Sequence, residues 1–239
     1  MKKPRAHPTG TALQHLAAAF ETMIQLNNVF KFYRTEGHTK IVLDHVSAVF
    51  DSTRSYGLLG VNGAGKSTTL RLIAGTELPN SGSVRRSVRV SWPLGFAGGF
   101  HPQMTGRENV HFVARVYGAD IRKVVDFVED FSEIGEYMDV PFKTYSSGMM
   151  ARIAFALSMA IEFDVYLIDE ITGVGDARFQ VRCQEAFAAR RKHAGLIVVS
   201  HSMATIKQYC DYGGVIVEGQ LIVFDSADKA IEMYNRLNK

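Results

Sequence analysis

The sequence has few cysteines, no long apolar run and no strong excess of one charge. Its two cysteines, Cys183 and Cys210, belong to no CxxC pair, which argues against a zinc site, a redox motif and a disulfide framework and favours a reducing compartment. No stretch reaches the roughly 20 uninterrupted apolar residues that a membrane-spanning helix needs, and the apolar run at 196–199 already stops at Ser200. With 27 Lys and Arg against 24 Asp and Glu, the net charge is only +3. The chain therefore does not span a bilayer by itself, and we expect no nucleic acid among its partners.

What is present is the composition of an ordinary globular protein. The 239 residues are 46% hydrophobic and 21% charged, which is enough for a sizeable core and for one large α/β domain or two small ones. The chain begins with Lys2, Lys3 and Arg5, but the apolar part that follows is too thin and too interrupted for a signal peptide. Residues 1–22 are therefore an extension, which would be disordered or would precede a true start at Met23. The alternative is a short amphipathic helix, because their apolar residues share a helical spacing.

Hydrophobic periodicity predicts a β-rich beginning. Apolar and polar residues alternate at 24–26 and again at 46–50, which is the pattern of half-buried strands. A short apolar strand at 56–59 leads through a glycine-rich turn into a helix at 66–74, for which the following glycine is a C-terminal cap. A turn signal comes next, and it predicts a further strand around 84–90.

The middle of the chain predicts a helical insertion over about 96–162. Thr105 and Glu108 form a capping box that begins one helix, a second helical pattern starts at Ile121, and a third covers about 149–161. Each of these helices repeats apolar residues at helical spacing, so each has one face that can be buried.

The last third of the chain returns to strands. Two short apolar runs at 165–168 and 196–199 have the composition of strands buried on both faces, which indicates a parallel core sheet. Strands at 215–217 and 221–224 and a final helix capped by Ser226 complete the pattern.

One motif carries specific chemistry. Residues 60–67, GVNGAGKS, match G-x-x-x-x-G-K-[ST] between a predicted strand and a predicted helix, a context that a chance match in a glycine-containing turn would lack. The motif is a P-loop: its glycines let backbone N–H groups converge on a phosphate chain, Lys66 reaches the terminal phosphates, and Ser67 ligates Mg²⁺. We therefore expect ATP and Mg²⁺ as ligands. The candidate ATP-binding residues of this segment are Gly60, Asn62, Gly63, Ala64, Gly65, Lys66, Ser67 and Thr68.

Polar side chains at the carboxyl ends of two predicted core strands complete the candidate site. Asp169 and Glu170 follow the first strand; Asp169 would hold Mg²⁺, and Glu170 would orient or deprotonate the water that attacks the γ-phosphate. His201 follows the second strand and could hydrogen-bond the γ-phosphate or that water. The alternatives are two solvated carboxylates and a structural histidine. The P-loop in the same sheet favours catalytic roles for Glu170 and His201 and a metal-binding role for Asp169 beside Ser67.

A second segment points to a family. Residues 145–149, YSSGM, end 20 positions before Asp169 and head a predicted helix, and they resemble the Leu-Ser-Gly-Gly-Gln signature of ATP-binding cassette (ABC) proteins. The resemblance covers residues 23–239 and implies an α/β fold: a P-loop NTPase of ABC type with a mostly parallel core sheet, an N-terminal antiparallel β region and a helical subdomain. It further implies a homodimer, arranged head to tail, with two ATP molecules between the copies. By the same resemblance, Ser146, Ser147 and Gly148 face the γ-phosphate bound by the other copy, Asp176 crosses the interface, and Tyr33 stacks on adenine unless it is a core or strand-edge tyrosine.

Several positions depart from the ABC pattern. Ser147 and Met149 stand where the signature has glycine and glutamine, and Ile171 stands where a proline is common, so the turnover rate does not follow from the resemblance. The glutamine that usually joins the core sheet to the helical insertion has no clear counterpart. Gln103 is the nearest candidate, but it comes late in the segment.

The segments 91–95, 97–100 and 105–110 narrow the resemblance to the ATP-binding subunits of bacterial capsular polysaccharide exporters. That resemblance implies a peripheral ATPase on the cytoplasmic face of the inner membrane, working beneath two copies of an integral-membrane permease. Periplasmic and outer-membrane export proteins would be further partners, and the permease would dock near the loop at 96–106. The alternative is a soluble ABC-type ATPase that acts as a nucleotide-dependent clamp on ribosomes or DNA, although the sequence shows no second cassette and no long coiled-coil insertion.

Overall fold

A computed structural model describes residues 23–35, 37–94, 99–169 and 176–238. The predicted N-terminal extension (1–22), the predicted base Glu170 and the predicted start of the helical insertion at 96 lie outside these residues. In chain order the elements are β1 (Met23–Thr35), β2 (His38–Asp51), β3 (Ser55–Leu59), α1 (Lys66–Ala74), β4 (Ser81–Arg86), β5 (Val90–Pro93), α2 (Gly106–Val116), α3 (Ile121–Ser132), two 3-10 turns (Gly135–Asp139 and Phe142–Thr144), α4 (Ser147–Ala160), β6 (Val165–Asp169), α5 (Ala177–Arg191), β7 (Gly195–Val199), α6 (Met203–Tyr209), β8 (Tyr212–Val217), β9 (Gln220–Phe224) and α7 (Ala227–Leu237).

Two sheets organise the protein. The smaller is antiparallel, in the order β2-β1-β4, and the larger has the order β5-β6-β7-β3-β8-β9. In the larger sheet β8 and β9 are antiparallel, and the other neighbouring strands are parallel. The prediction of a parallel core is confirmed, as is the antiparallel N-terminal β region.

The central strands are almost wholly apolar because both of their faces are covered. Every residue of β3 and β7 is buried. Along β7, Leu196 and Val198 belong to one apolar cluster with residues of helices α2 to α7, whereas Ile197 and Val199 belong to a second cluster with α1 and the smaller sheet. A strand enclosed in this way needs apolar side chains at every position, which explains the continuous apolar runs of the sequence.

The single strand predicted around 84–90 is wrong. Its residues form two strands, Ser81–Arg86 and Val90–Pro93, which belong to different sheets. At the end of the first, the Arg86 guanidinium donates hydrogen bonds to carbonyl groups at the C-terminal end of α1. The second strand pairs in parallel with Val165 of β6. Apolar residues recur at even spacing across the break, so periodicity alone does not reveal it.

Helices α2, α3 and α4 make up the helical part of the chain. The capping box predicted at the start of α2 is confirmed: the Thr105 hydroxyl accepts from the Glu108 N–H, and the Glu108 carboxylate accepts from the Thr105 N–H. Helix α4 begins two residues earlier than predicted, because Ser146 caps it by accepting a hydrogen bond from the Met149 N–H. No helix within the described part of the chain is both long and apolar enough to cross a membrane.

Candidate functional site

The predicted P-loop connects β3 to α1. Gly63 and Gly65 have φ angles of 76° and 106°, in the left-handed region that glycine tolerates best. A Cβ on Gly65 would also overlap the Val42 side chain of β2. Strand β2 therefore lies directly against the loop, and only glycine leaves room for this approach.

The N-terminus of α1 differs from those of the other described α-helices. Side chains cap helices α2 to α7. In α1, by contrast, Gly65 is the N-cap, no described side chain caps the helix, and no acidic residue lies in its first turn. The N–H groups and the positive end of the helix dipole therefore favour an anion at this point.

Lys66, the first residue of α1, supplies a cation at the same place. Its side chain is buried, and its ammonium group donates hydrogen bonds to the carbonyls of Gly60 at 2.7 Å and Val61 at 3.1 Å. The two carbonyls hold the side chain folded back along the loop. The positive charge therefore lies beside the N–H groups of the loop.

A cavity of about 540 Å³ borders the P-loop and brings most of the predicted residues together. Gly60 and Ala64 belong to the loop but do not line the cavity. Three lining residues were not predicted, and no sequence motif marks them: Lys40, Val42 and Val199. The predicted residues that line the cavity are Tyr33, Asn62, Gly63, Gly65, Lys66, Ser67, Thr68, Asp169 and His201.

Tyr33 stands at the cavity edge within a polar cluster. Its ring is 39% exposed, and its hydroxyl donates a hydrogen bond to Glu77 at 2.5 Å. Arg71 donates to the same hydroxyl at 3.2 Å, and the Lys31 ammonium lies 5.1 Å from the ring centroid. Burial alone would raise the pKa of Glu77, but hydrogen bonds from Lys31, Tyr33 and Arg71 outweigh it and lower the pKa to about 2. The ring is thus held at a partly exposed position, so Tyr33 is not a core tyrosine, and its role as a platform for a planar group stays a prediction beside that of a strand-edge tyrosine.

Asp169 and His201 lie at the carboxyl ends of adjacent strands. Asp169 is the last residue of β6 and pairs with Val199 of β7, two positions before His201. Both side chains line the cavity. In an open parallel sheet the carboxyl ends of the strands form the ligand-binding edge, so both stand where the sequence predicts them.

The signature segment lies elsewhere on the surface. Ser146, Ser147 and Gly148 form the exposed start of α4 and do not line the cavity. Asp176 is the N-cap of α5 and accepts a 2.7 Å hydrogen bond from Arg152 of α4. Hydrogen bonding to the Phe179 N–H lowers the pKa of Asp176. Within one chain, therefore, these four predicted residues are not brought to the P-loop.

The cavity suits a phosphate chain accompanied by a divalent cation. Backbone N–H groups and Lys66 supply positive charge, while the Ser67 hydroxyl and the Asp169 carboxylate offer oxygen atoms. No group of three or more His, Cys, Asp and Glu side chains among the described residues could hold a metal alone. Ser67 and Asp169 therefore fit a cation whose remaining ligands include oxygen atoms of a bound phosphate.

Comparison with known proteins decides the family. A family model described as "ABC transporter" matches residues 43–173, which include the P-loop, the start of α4 and Asp169. The chain belongs to the ABC transporter family. The resemblance inferred from the P-loop and from residues 145–149 is confirmed, and the chain carries an ABC ATPase domain.

Relatives of this ABC ATPase domain are similar over nearly their whole length. The capsule polysaccharide export ATP-binding protein CtrD of Neisseria meningitidis serogroup B is 47% identical over 215 residues, covering 90% of this chain and 100% of the relative. The polysialic acid transport ATP-binding protein KpsT of Escherichia coli is 48% identical over 217 residues, covering 90% and 99%. Among solved structures, a dimeric ATP-binding cassette in a post-hydrolysis state with ADP and Pi has a TM-score of 0.66 at 19% identity, covering 83% and 96%. That likeness confirms the predicted fold class.

Proposed function

We propose that this ABC ATPase domain hydrolyses ATP to drive the export of capsular polysaccharide across the bacterial inner membrane. The observation that carries the proposal is one cavity lined jointly by the P-loop, Lys66, Ser67 and Asp169. The 47% and 48% identity with proteins named for capsule polysaccharide export and polysialic acid transport supports the class of cargo.

In the proposed reaction, each group of the cavity has one task. The N–H groups of the loop and of α1 bind the phosphate chain, and Lys66 donates to its terminal oxygens. Glu170, the residue after Asp169, takes the proton of the water that attacks the γ-phosphate. His201 donates a hydrogen bond to the γ-phosphate or to that water. Tyr33 stacks on adenine, held by Glu77 and Arg71.

Mg²⁺ is the proposed metal ion of this site. Ser67 and Asp169 would hold it, because both offer hard oxygen atoms in the same cavity. When bound, Mg²⁺ would neutralise negative charge on the phosphates and stabilise the leaving diphosphate.

The proposed working unit is a head-to-tail homodimer. In one chain the start of α4 is exposed, and its Ser146, Ser147 and Gly148 stay outside the cavity. A second copy would present these residues to the γ-phosphate, with the N-terminus of α4 as an anion-binding end. Asp176 would approach the interface from the N-terminus of α5. ATP would then join the two copies, and loss of the γ-phosphate would release them.

The proposed permease contact is an apolar groove in the helical part. A cavity of about 190 Å³ beside α2 is lined mainly by apolar and aromatic side chains, including Phe100 of the loop expected to dock the permease. Phe112 and Val116 of α2 line it and are 54% and 63% exposed. Two permease copies would bind the homodimer through these grooves, which would place it peripherally on the cytoplasmic face of the inner membrane. Periplasmic and outer-membrane export proteins would be indirect partners, linked to the ATPase by the permease.

The experiment that tests the catalytic assignment compares two glutamate variants of the purified chain. Glu170→Gln is expected to retain ATP-driven dimerisation and to lose hydrolysis by about 10²–10⁴-fold, because the base is removed while the phosphate-binding residues stay. Size-exclusion chromatography with ATP and a phosphate-release assay measure the two properties. Glu185→Gln on the exposed face of α5 is the matched control and should hydrolyse ATP like the wild type. Normal turnover of Glu170→Gln would refute Glu170 as the base.

Co-purification separates export from the alternative function. Recovery of the chain with an integral-membrane protein supports the transporter, whereas recovery with ribosomes or DNA supports a nucleotide-dependent clamp. The relatives compared above give the clamp no support.

A further inference from the structure

The nucleotide cavity contains a second lysine that the reaction described above does not use. Lys40 lies on β2 and lines the same cavity as the P-loop. A Cβ built on Gly63 would lie only 2.9 Å from the Lys40 ammonium nitrogen, so this amine sits against the backbone of the loop. Within the described part of the chain, no carboxylate forms an ion pair with Lys40. Its charge is therefore not used to hold the fold together.

The path of β2 explains how the amine reaches the loop. Val42 contacts Gly65, and Lys40, two positions earlier on the strand, contacts Gly63. Lys40 is also the direct partner of Tyr33 in the antiparallel pairing of β1 and β2. Directly opposed residues place their side chains on one face of a sheet. Lys40 thus lies between Tyr33, the proposed platform for adenine, and the loop proposed to bind the terminal phosphates.

We propose that Lys40 is a further cationic ligand of the phosphate chain of the nucleotide. This inference rests on the proposed ATP binding and adds a residue to it. Bound ATP carries several negative charges, and Lys66 can pair with them only from the side of α1. Lys40 approaches from β2 and would meet the same chain beside Gly63. Because its long stem leaves the amine in a cavity open to water, the attraction would be partly screened by salt.

Nucleotide affinity at two ionic strengths tests this role. Lys40→Met keeps the length of the side chain and removes its charge. At low ionic strength it is expected to weaken the binding of ADP and ATP about tenfold, which corresponds to about 1.4 kcal/mol. At high ionic strength the loss should shrink to about twofold, because salt screens the lost attraction. Isothermal titration calorimetry measures all four affinities, and a thermal melt confirms that the variant is folded.

Two further variants keep the result specific. Lys40→Arg restores the charge and should bind within about threefold of the wild type. Lys123→Met removes an exposed lysine of α3 that does not line the cavity, and it should leave both affinities unchanged. Equal nucleotide affinity of Lys40→Met and wild type would overturn the role of Lys40. A loss of affinity that is the same at both ionic strengths, or that Lys40→Arg does not restore, would overturn it as well.

The failure of this inference differs from the failure of the proposed function. If wild type binds ADP and ATP, Lys66→Ala does not, and Lys40→Met binds like wild type, only the role of Lys40 falls. If wild type binds neither nucleotide, both proposals are overturned.

Discussion

Gly65 carries two constraints that only glycine satisfies. Its φ is 106°, and a Cβ at this position would overlap Val42. We expect Gly65→Ala to lower the free energy of unfolding by about 1–3 kcal/mol and to abolish nucleotide binding, because the first turn of α1 must shift. Urea denaturation and calorimetry measure the two effects.

Gly118 provides the matched control for this substitution. Its φ is 64°, but a Cβ there would meet no atom within 4 Å. Gly118→Ala is therefore expected to cost only backbone strain and to keep nucleotide binding. If both variants bound nucleotide equally well, the contact between β2 and the loop would not be what requires glycine at 65.

The Glu77 cluster predicts a pH dependence of stability. Hydrogen bonds from Lys31, Tyr33 and Arg71 lower the pKa of Glu77 from 4.5 to about 2. A lowered pKa means that the ionised form stabilises the native state above pH 4.5, and that this contribution is lost as the pH falls towards 2. We expect Glu77→Gln to lower the free energy of unfolding by about 1–2 kcal/mol at neutral pH, and progressively less below pH 4.5.

Urea denaturation across this pH range checks the Glu77 prediction. Glu232→Gln on α7 is the control, since its carboxylate pairs with Arg236 at the surface and is 64% exposed. Such exposed pairs contribute little, so the control should differ little from wild type at any pH. A deficit of Glu77→Gln that stayed constant down to pH 2 would show that its ionisation is not what stabilises the cluster.

Single residues were predictable from sequence where a motif fixes their position. The P-loop spacing identified Lys66 and Ser67 because the same few residues bind phosphate wherever this loop occurs. Lys40 and Glu77 belong to no motif. Their positions come from the pairing of β1 with β2 and from the contacts of Lys31 and Tyr33 on β1 with Glu77 after α1, which only the three-dimensional structure shows.

At the scale of elements, the sequence revealed helices with clear caps or a wide apolar face. Helix α2 has a capping box, and α1 ends at a glycine in the left-handed conformation. Helices α5 and α6 were missed. Helix α5 buries only Phe179, Cys183 and Phe187, every fourth residue of a segment otherwise rich in Arg, Ala and Gln. One apolar residue per turn is too weak a pattern to predict a helix.

The packing of α2 against the segment before α4 predicts a coupled pair of substitutions. The Tyr145 hydroxyl donates to the Tyr137 carbonyl, and a Cβ on Gly106 would overlap that hydroxyl. Tyr145 directly precedes Ser146, the cap of α4. We expect Gly106→Ala to lower the free energy of unfolding by about 1–3 kcal/mol and to reduce ATP hydrolysis, since it displaces the start of α4.

A double-mutant cycle tests this contact. Tyr145→Phe alone should cost about 1 kcal/mol for the lost hydrogen bond. In the double variant the overlapping hydroxyl is gone, so Gly106→Ala should cost much less than it does alone, and hydrolysis should partly recover. Strictly additive effects in denaturation and hydrolysis would show that Gly106 and Tyr145 do not act through each other.

At the scale of the whole molecule, the arrangement of strands followed from composition. Continuous apolar runs indicated strands with two covered faces, and the larger sheet is mostly parallel, as such strands require. The proposed division of the nucleotide site between two copies rests on the family resemblance alone. Motif and periodicity do not predict a contact between Ser147 of one copy and Lys66 of another, because such a contact depends on the shape of whole surfaces and Ser147 lies outside the cavity of its own chain.

Cross-linking between copies tests this division of the site. The native thiols Cys183 and Cys210 do not interfere, because both are buried and burial raises the pKa of each to about 12. Chains carrying Asn62→Cys are mixed with chains carrying Ser147→Cys, both with Glu170→Gln so that ATP is retained. We expect a disulfide-linked dimer on non-reducing electrophoresis with ATP, and far less with ADP, because the γ-phosphate draws α4 of one copy to the P-loop of the other. Phe112→Cys is the control in place of Ser147→Cys: it is exposed in the groove of the helical part and should not cross-link. Equal cross-linking by Ser147→Cys and Phe112→Cys, or equal cross-linking with ATP and ADP, would mean that the start of α4 does not complete the partner's site.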